Sequence, residues 1–104
     1  MTSEFKMIAT NGIRLRARVA GSGPLVVLVH GFPESWAAWR HQIEPIAAAG
    51  FKVCAIDCRG YGGSDKPTEV TDYDLEQMTA DIFGVIDAEG DGAPAIIIGH
   101  DWGA

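Results

Sequence analysis

The stretch "PAIIIGHDWGA", residues 94–104, decides the fold. It joins an apolar run, which is typical of a strand covered on both faces, to the pattern Gly99-x-Asp101-x-Gly103. Small residues two positions before and after a central nucleophile predict a nucleophile elbow, a sharp turn that lifts the central side chain clear of the strand end. Asp101 occupies the place that serine has in G-x-S-x-G, so we predict that it is the nucleophile.

Earlier segments predict the rest of the sheet. Alternating patterns on both sides of Asn11-Gly12 indicate an antiparallel hairpin. Two further apolar runs, "LVVLVH" at 25–30 and "FKVCAID" at 51–57, resemble the run before the elbow and favour parallel strands. We therefore predict an α/β fold in which the hairpin precedes β-α-β-α-β with right-handed crossovers.

Two helices are predicted between the parallel strands. The first follows an N-cap at Ser35, with a break and restart at Pro45 and a left-handed end at Gly50. The second begins at Asp74, which can form a capping box with Gln77. Its apolar positions recur at helical spacing and predict a core face rather than a binding stripe; they are Leu75, Met78, Ile82 and Ile86.

Composition and charge limit the possible partners. The net charge is −6, and the only close basic group is "RLRAR", which we interpret as a solvated strand face formed by Arg14, Arg16 and Arg18. Nucleic acid is therefore not expected as a partner. No signal peptide precedes the first strand, and the longest aliphatic run is far shorter than the roughly 18 residues of a membrane span, which predicts a cytoplasmic protein without a membrane span.

No metal or organic cofactor is expected. Cys54 and Cys58 lie about 13 Å apart if the strand is extended, which is too far for a disulfide, so we predict reduced thiols. The segment "RGYGGSD" at 59–65 matches no phosphate-binding pattern. Asp57, Arg59 and Asp65 are instead expected to hold that loop by hydrogen bonds and an ion pair.

Aspartate at an elbow indicates a particular reaction. A serine alkoxide that attacked a saturated carbon would form an ether, which water does not cleave. A carboxylate that attacks the same carbon forms an ester, whose carbonyl then lies on the enzyme and can be hydrolysed. Asp101 therefore predicts displacement at an sp³ carbon, as in epoxide opening or carbon–halogen cleavage.

An oxyanion hole is predicted beside Asp101. Its two donors are the backbone amide of Trp102, which follows the nucleophile, and that of Phe32 in the "HGFP" turn. A cis peptide is considered before Pro33, because this loop must turn sharply. Gly31, at the centre of the same turn, is a supporting residue.

The remaining site candidates are histidines and tryptophans. His30 is expected to hold the loop by hydrogen bonds, and His100 to face away from Asp101 in a core or supporting role. His41 is expected on a helix surface. Trp36 and Trp39 are expected to pack against the core, although Trp36 can also edge the pocket. The Trp102 indole can line the pocket or donate its N–H to a halide.

Three motifs in this order, "HGFPESW", "DCRGYGGSDKP" and "GHDWGA", resemble the epoxide hydrolases of the α/β-hydrolase fold. The resemblance implies hydrolysis of a small epoxide to a vicinal diol, a detoxification reaction in which Asp101 opens the epoxide and water is the second substrate. It also implies two lid tyrosines and a His paired with an acid, none of which can be assigned here.

The resemblance further predicts that residues 1–104 are the N-terminal part of a single α/β-hydrolase domain, ending before the rest of the sheet and the lid. The isolated piece is expected to be inactive. Two alternatives remain open. Haloalkane dehalogenases share the Asp-Trp-Gly elbow, although Phe32 favours the epoxide enzymes. A non-catalytic binding module is disfavoured, because it needs no strained elbow and would expose a sheet edge.

Overall fold

A computed structural model describes residues 3–103, which form one mixed β-sheet. Its strand order is β1-β2-β4-β3-β5. The hairpin strands β1 and β2 are antiparallel, and β3 runs parallel to both β4 and β5. This confirms the predicted α/β fold. The strands are β1 Glu4–Thr10, β2 Ile13–Ala20, β3 Leu25–Val29, β4 Lys52–Ile56 and β5 Ile96–Gly99.

The first predicted helix is split into two. Ser35 caps a 3₁₀ helix, Trp36–Trp39, by accepting a hydrogen bond from Ala37 N, and the α-helix α1, Ile43–Ala48, follows. The predicted break at Pro45 is wrong. Pro45 lies in the first turn of α1, where its missing N–H costs no helical hydrogen bond. The left-handed end at Gly50 is confirmed, with φ 99°.

The second predicted helix is α2, Leu75–Glu89, preceded by a 3₁₀ helix at Val70–Tyr73. Asp74 is its N-cap, as predicted, because its carboxylate accepts from Gln77 N at 2.9 Å. The second hydrogen bond of the predicted capping box, from Asp74 N to the Gln77 side chain, is not formed. The Gln77 side chain instead accepts from Asn11 Nδ2 at 2.9 Å, which ties α2 to the hairpin turn.

Both faces of the sheet are covered at β3 and β4, as their apolar runs predicted, whereas the isoleucines of β5 are exposed in the described residues. On one face, α2 packs through Val85 against a cluster that includes Leu15, Val27 and Ile56. On the other face, α1 packs through Ile43 against residues such as Leu28 and Val53. The sheet is therefore the middle layer of three.

Ile82 and Ile86 pack against the core, as predicted, but the predicted core face is wrong for the first turn of α2. The buried residues of α2 are Asp81, Val85 and Glu89, whereas Leu75 is 82 % exposed. The two acids can be buried because cations neutralise them: Arg59 binds Asp81, while Lys6 and Lys52 bind Glu89. A pattern of apolar residues alone does not reveal such pairs.

The arginines of β2 are not a uniformly solvated face. Arg16 Nε lies 2.8 Å from Asp57 Oδ2, and its guanidinium lies over the Phe5 ring. The Arg18 guanidinium lies over Phe5 and close to the Trp36 ring. Arg14 alone of the three keeps a mostly exposed side chain. This part of the prediction is wrong, because partners far away in sequence cover Arg16 and Arg18.

Candidate active site

The elbow lies at the end of β5, and Asp101 has a left-handed backbone with φ 58°. Such a conformation is uncommon in residues other than glycine and costs about 1 to 3 kcal/mol when the surroundings impose it. A 3₁₀ helix, Asp101–Gly103, follows at once and is closed by a hydrogen bond from Gly103 N to His100 O of 3.0 Å. The Asp101 side chain is exposed at this strand end.

Two glycines allow the backbone to approach this closely. A Cβ on Gly103 would clash with Val29 O and would lie 2.6 Å from His30 O. A Cβ on Gly31 would lie 2.5 Å from the Asp101 Cβ. Gly99 pairs with Val29 at the end of β5. The elbow and the end of β3 therefore come together only because Gly31 and Gly103 lack side chains.

Residues 30–36, which we call the oxyanion loop, bring a donor to Asp101. The Phe32 N–H points at Asp101 Oδ2 with an N···O distance of 3.3 Å. The Phe32–Pro33 peptide is cis. Trp102 lies in the 3₁₀ helix next to Asp101, and its role as second donor stays a prediction. The structure thus brings together two of the predicted site residues, Asp101 and Phe32.

His30 is buried and both of its ring nitrogens have partners. Nε2 accepts from Cys58 N at 2.9 Å, which requires that Nδ1 carry the proton and donate to Gly31 O at 2.8 Å. The ring also contacts Tyr61 edge-on, with centroids 5.1 Å apart. His30 therefore connects the start of the oxyanion loop to the segment after β4.

His100 and His41 lie on the surface of the described residues. The His100 side chain is 69 % exposed, with Nδ1 3.7 Å from Glu34 Oε1, so the predicted core position is wrong. Its carbonyl oxygen accepts the hydrogen bond that closes the turn after Asp101. His41 is exposed, as predicted, but it lies in the turn between the 3₁₀ helix Trp36–Trp39 and α1 and not on a helix.

A cavity of about 540 Å³ lies between the oxyanion loop and α2. Phe32 and Gly103 border it on the elbow side. Trp36 is not among the described residues that line it, because its ring packs edge-on against Phe5 with centroids 5.4 Å apart. The structure therefore does not bring Trp36 to the pocket edge.

Sequence reasoning missed several residues of this cavity. Tyr61 packs edge-on against Phe32, with centroids 6.4 Å apart. Leu75, Met78 and Ile82, which we predicted to be core, line the opposite wall. Their helical spacing was the available signal, but spacing does not distinguish a core stripe from a cavity wall.

Cys58 places a thiol in the same cavity. Burial raises its pKa to about 12, and the neighbouring carboxylates of Asp57 and Asp81 act in the same direction. Because thiolate rather than thiol is the nucleophile, Cys58 does not compete with Asp101 near neutral pH. Cys54 and Cys58 are both free and buried.

The loop after β4 is held by the residues that the sequence indicated. Arg59 and Asp81 form a buried bidentate ion pair, with N···O distances of 2.6 and 2.7 Å. The hydrogen bond to Asp81 raises the pKa of Arg59 in spite of its burial. Asp65 accepts from Arg14 N at 2.9 Å. This prediction is confirmed.

Within residues 3–103, no group of three or more His, Cys, Asp and Glu side chains is arranged to hold a metal ion. The same residues contain no helix that is long and apolar enough to cross a membrane.

The sequence profile of the alpha/beta hydrolase fold family matches residues 24–104, which include the oxyanion loop and the elbow. The chain belongs to this family. Proteins named epoxide hydrolases resemble it along most of its length. Epoxide hydrolase A of Mycobacterium tuberculosis is 48 % identical over 95 % of this chain, and bifunctional epoxide hydrolase 2 of Sus scrofa is 49 % identical over 88 %.

Solved structures of epoxide hydrolases are similar to this chain as well. Epoxide hydrolase A from Mycobacterium thermoresistibile superposes with a TM-score of 0.93 at 48 % identity, covering 98 % of this chain and 32 % of its own. An epoxide hydrolase from Vigna radiata gives a TM-score of 0.93 at 36 % identity, over 97 % of this chain and 31 % of its own. The chain spans 31 % and 16 % of the lengths of the M. tuberculosis and S. scrofa relatives.

Proposed function

We propose that the protein hydrolyses epoxides to vicinal diols through a covalent ester on Asp101. The observation that carries this proposal is a carboxylate at a strained elbow, with φ 58°, whose Oδ2 faces the Phe32 amide at 3.3 Å. A carboxylate in this place suits attack on a saturated carbon, and the amide suits the charge that develops when the ester is hydrolysed.

In the first step, Asp101 Oδ1 attacks one epoxide carbon, because Oδ2 is the oxygen that faces the Phe32 amide. A C–O bond forms, the epoxide C–O bond breaks, and the epoxide oxygen leaves as an alkoxide that must receive a proton. By the resemblance to epoxide hydrolases, that proton comes from lid tyrosines. The product is a hydroxyalkyl ester of Asp101.

In the second step, water attacks the Asp101 carbonyl carbon. Negative charge then develops on Oδ2, beside the Phe32 amide and, in our proposal, the Trp102 amide. Cleavage of the ester releases the diol and restores the carboxylate. Residues 1–104 form the N-terminal part of a single hydrolase domain in this proposal, and the rest of the protein supplies the base and the lid.

The names of the relatives support epoxides over haloalkanes as substrates. The M. tuberculosis, S. scrofa, M. thermoresistibile and Vigna radiata proteins are each named epoxide hydrolases. The Asp-Trp-Gly elbow is equally compatible with dehalogenation. Diol formation from epoxides without halide release from 1-chlorohexane separates the two reactions.

The decisive measurement is one turnover of the full-length protein in ¹⁸O water, with styrene oxide, 1,2-epoxyhexane and trans-stilbene oxide as probes. The ester route places ¹⁸O in the Asp101 carboxylate and leaves the first diol unlabelled. Label found in the diol alone would contradict the ester mechanism. Diol formation from none of the three probes would contradict the proposed activity.

Asp101→Asn provides the matching variant. Asparagine tolerates a left-handed backbone, so the fold should be kept while kcat/KM falls by at least about 10³-fold. Asp91→Asn is the control, because Asp91 has a similar φ of 52° in an exposed turn. Equal activity of the two variants would rule out Asp101 as the nucleophile.

A further inference from the structure

Asp57 has a buried carboxylate that the proposed reaction does not use. It follows β4 directly and is 0 % exposed. Its Oδ2 accepts from Arg16 Nε at 2.8 Å and from Gly63 N at 2.9 Å. Its Oδ1 accepts from Trp36 N at 2.8 Å. The Gly63 contact holds the loop after β4, the Arg16 contact joins Asp57 to β2, and the Trp36 contact reaches the oxyanion loop.

Trp36 is the last residue of the oxyanion loop. The first residue of that loop, His30, is held by Cys58, which follows Asp57 in the sequence. Cys58 N donates to His30 Nε2 at 2.9 Å. Consecutive residues after β4 therefore hold both ends of the seven-residue segment that carries the Phe32 amide. Inside this segment, Glu34 N donates to Gly31 O at 2.9 Å.

The position of the Asp57 carboxylate is closely defined by its surroundings. A Cβ on Gly62 would lie 2.8 Å from Asp57 Oδ1, and a Cβ on Gly63 would lie 2.5 Å from the Arg16 side chain. The Ser64 hydroxyl donates to Asp57 O at 2.5 Å. The Asp57 carboxylate is thus a hydrogen-bond acceptor with a fixed position, and it positions the Trp36 amide relative to β4.

We propose that Asp57 is a positioning residue for hydrolysis of the Asp101 ester, acting through Trp36 and the oxyanion loop on the Phe32 amide. This inference rests on the proposed function. The Phe32 N to Asp101 Oδ2 distance of 3.3 Å is at the long end for a hydrogen bond, so a small shift of the loop removes the contact.

The two chemical steps depend differently on this amide. In the first step a charged carboxylate becomes a neutral ester, so an amide donor favours the starting state and does not speed alkylation. In the second step a neutral ester becomes an oxyanion, which the donor stabilises. A displaced loop therefore slows hydrolysis while alkylation continues at nearly its former rate.

The test uses the full-length protein with styrene oxide and rapid quenching, followed by quantification of the ester on the peptide that contains Asp101. In Asp57→Ala we expect ester hydrolysis to slow by about 10- to 100-fold and alkylation by less than about 3-fold. The ester then accumulates in the steady state. Both kcat and KM fall together, while kcat/KM stays within about 3-fold of the wild-type value.

Two variants separate positioning from stability. Asp57→Asn keeps an oxygen acceptor for Trp36 N but loses the ion pair with Arg16. We therefore expect this variant to be less stable and to keep the wild-type ratio of ester hydrolysis to alkylation. Glu89→Ala removes another buried, cation-paired carboxylate that does not touch the oxyanion loop, and should also keep that ratio. If Asp57→Ala does not fold, Asp57→Ser replaces it, since its side chain is too short to reach Trp36 N.

The inference would be overturned if Asp57→Ala or Asp57→Ser left the ratio of the ester-hydrolysis rate to the alkylation rate unchanged. It would also be overturned if Glu89→Ala or Asp57→Asn lowered this ratio as much as Asp57→Ala does. Those results leave the proposed function intact, because the wild-type protein would still form the ester. Absence of ester in the wild-type protein contradicts the proposed function itself, and the inference falls with it.

Discussion

At the scale of single residues, the backbone of Asp101 is the most informative feature. Two other described residues besides glycine have positive φ, Asn11 and Asp91, and each precedes a glycine in a tight turn. Asp101 instead precedes a tryptophan at a strand end. Strain of this kind persists only where the surrounding structure imposes it, and it is concentrated at functional sites. The elbow therefore joins a local cost in stability to the exposure of one carboxylate.

Gly103→Ala tests whether the elbow depends on close backbone approach. The new Cβ would clash with Val29 O, so we expect unfolding to become easier by about 3 kcal/mol and kcat/KM to fall by about 100-fold as the elbow shifts. Gly92→Ala is the control, because it adds a Cβ in open space at φ 78° and should cost about 1 kcal/mol with no loss of activity. Urea unfolding and steady-state kinetics of the full-length variants measure both effects. An equal loss of unfolding free energy in the two variants would contradict the view that the elbow needs close backbone approach at Gly103.

Residue type and spacing were enough to predict Asp101 and Phe32 as neighbours, because each lies in the loop that follows a parallel strand and such strand ends meet at one edge of the sheet. The contact between Asp57 and Trp36 could not be predicted in this way. It depends on how two irregular loops meet, and neither residue belongs to a repeating pattern. Tyr61 was missed for the same reason, since its loop is placed by hydrogen bonds rather than by periodicity.

At the scale of elements, α2 is attached to the sheet by charge as well as by apolar packing. Lys6 of β1 and Lys52 of β4 both bind Glu89 at the C-terminal end of α2, with N···O distances of 2.8 and 3.2 Å. Burial alone would raise the pKa of Glu89, but the two ammonium groups outweigh it, and the pKa lies below its ordinary value of 4.5. The edge strand β1 and the central strand β4 are thus both joined to the C-terminal end of α2.

This lowered pKa predicts how stability depends on pH. The ionised form is favoured by folding, so its contribution is present above pH 4.5, the pKa expected for the unfolded chain, and is lost as pH falls through the folded pKa. We expect Glu89→Gln to cost about 1 to 3 kcal/mol near neutral pH and progressively less under acid. Urea unfolding of both proteins between about pH 7 and pH 3 measures the difference. A constant difference across that range would contradict the linkage.

The hairpin, β3 and β4 could be predicted because their apolar patterns follow directly from which faces are buried. The buried face of α2 could not, because Asp81 and Glu89 are buried only with cations supplied by distant segments. Pro45 was misjudged for a local reason. Proline breaks a helix interior but is tolerated in a first turn, and the sequence did not show where that turn begins.

At the scale of the whole molecule, the described residues leave a large apolar surface uncovered. All three isoleucines of β5 are exposed, by 48, 49 and 39 %, and Leu75 and Phe83 of α2 are exposed as well. Exposed contiguous apolar surface in a soluble protein marks a place where other protein covers it or where chains associate. We therefore expect residues 1–104 alone to bind a hydrophobic dye strongly and to self-associate, with sedimentation as the measurement. A monodisperse, dye-free monomer would contradict this.

The same isolated chain tests where the general base lies. Both ring nitrogens of His30 are occupied by hydrogen bonds, and neither His41 nor His100 is among the described residues that line the cavity. His100 is nevertheless the residue next to Asp101 in the sequence, and its ring lies beside Glu34. If the base lies elsewhere in the protein, residues 1–104 should hydrolyse styrene oxide no faster than their Asp101→Asn variant. Turnover above that variant, lost in His100→Gln, would instead identify His100 as the base and would move the complete reaction into these 104 residues.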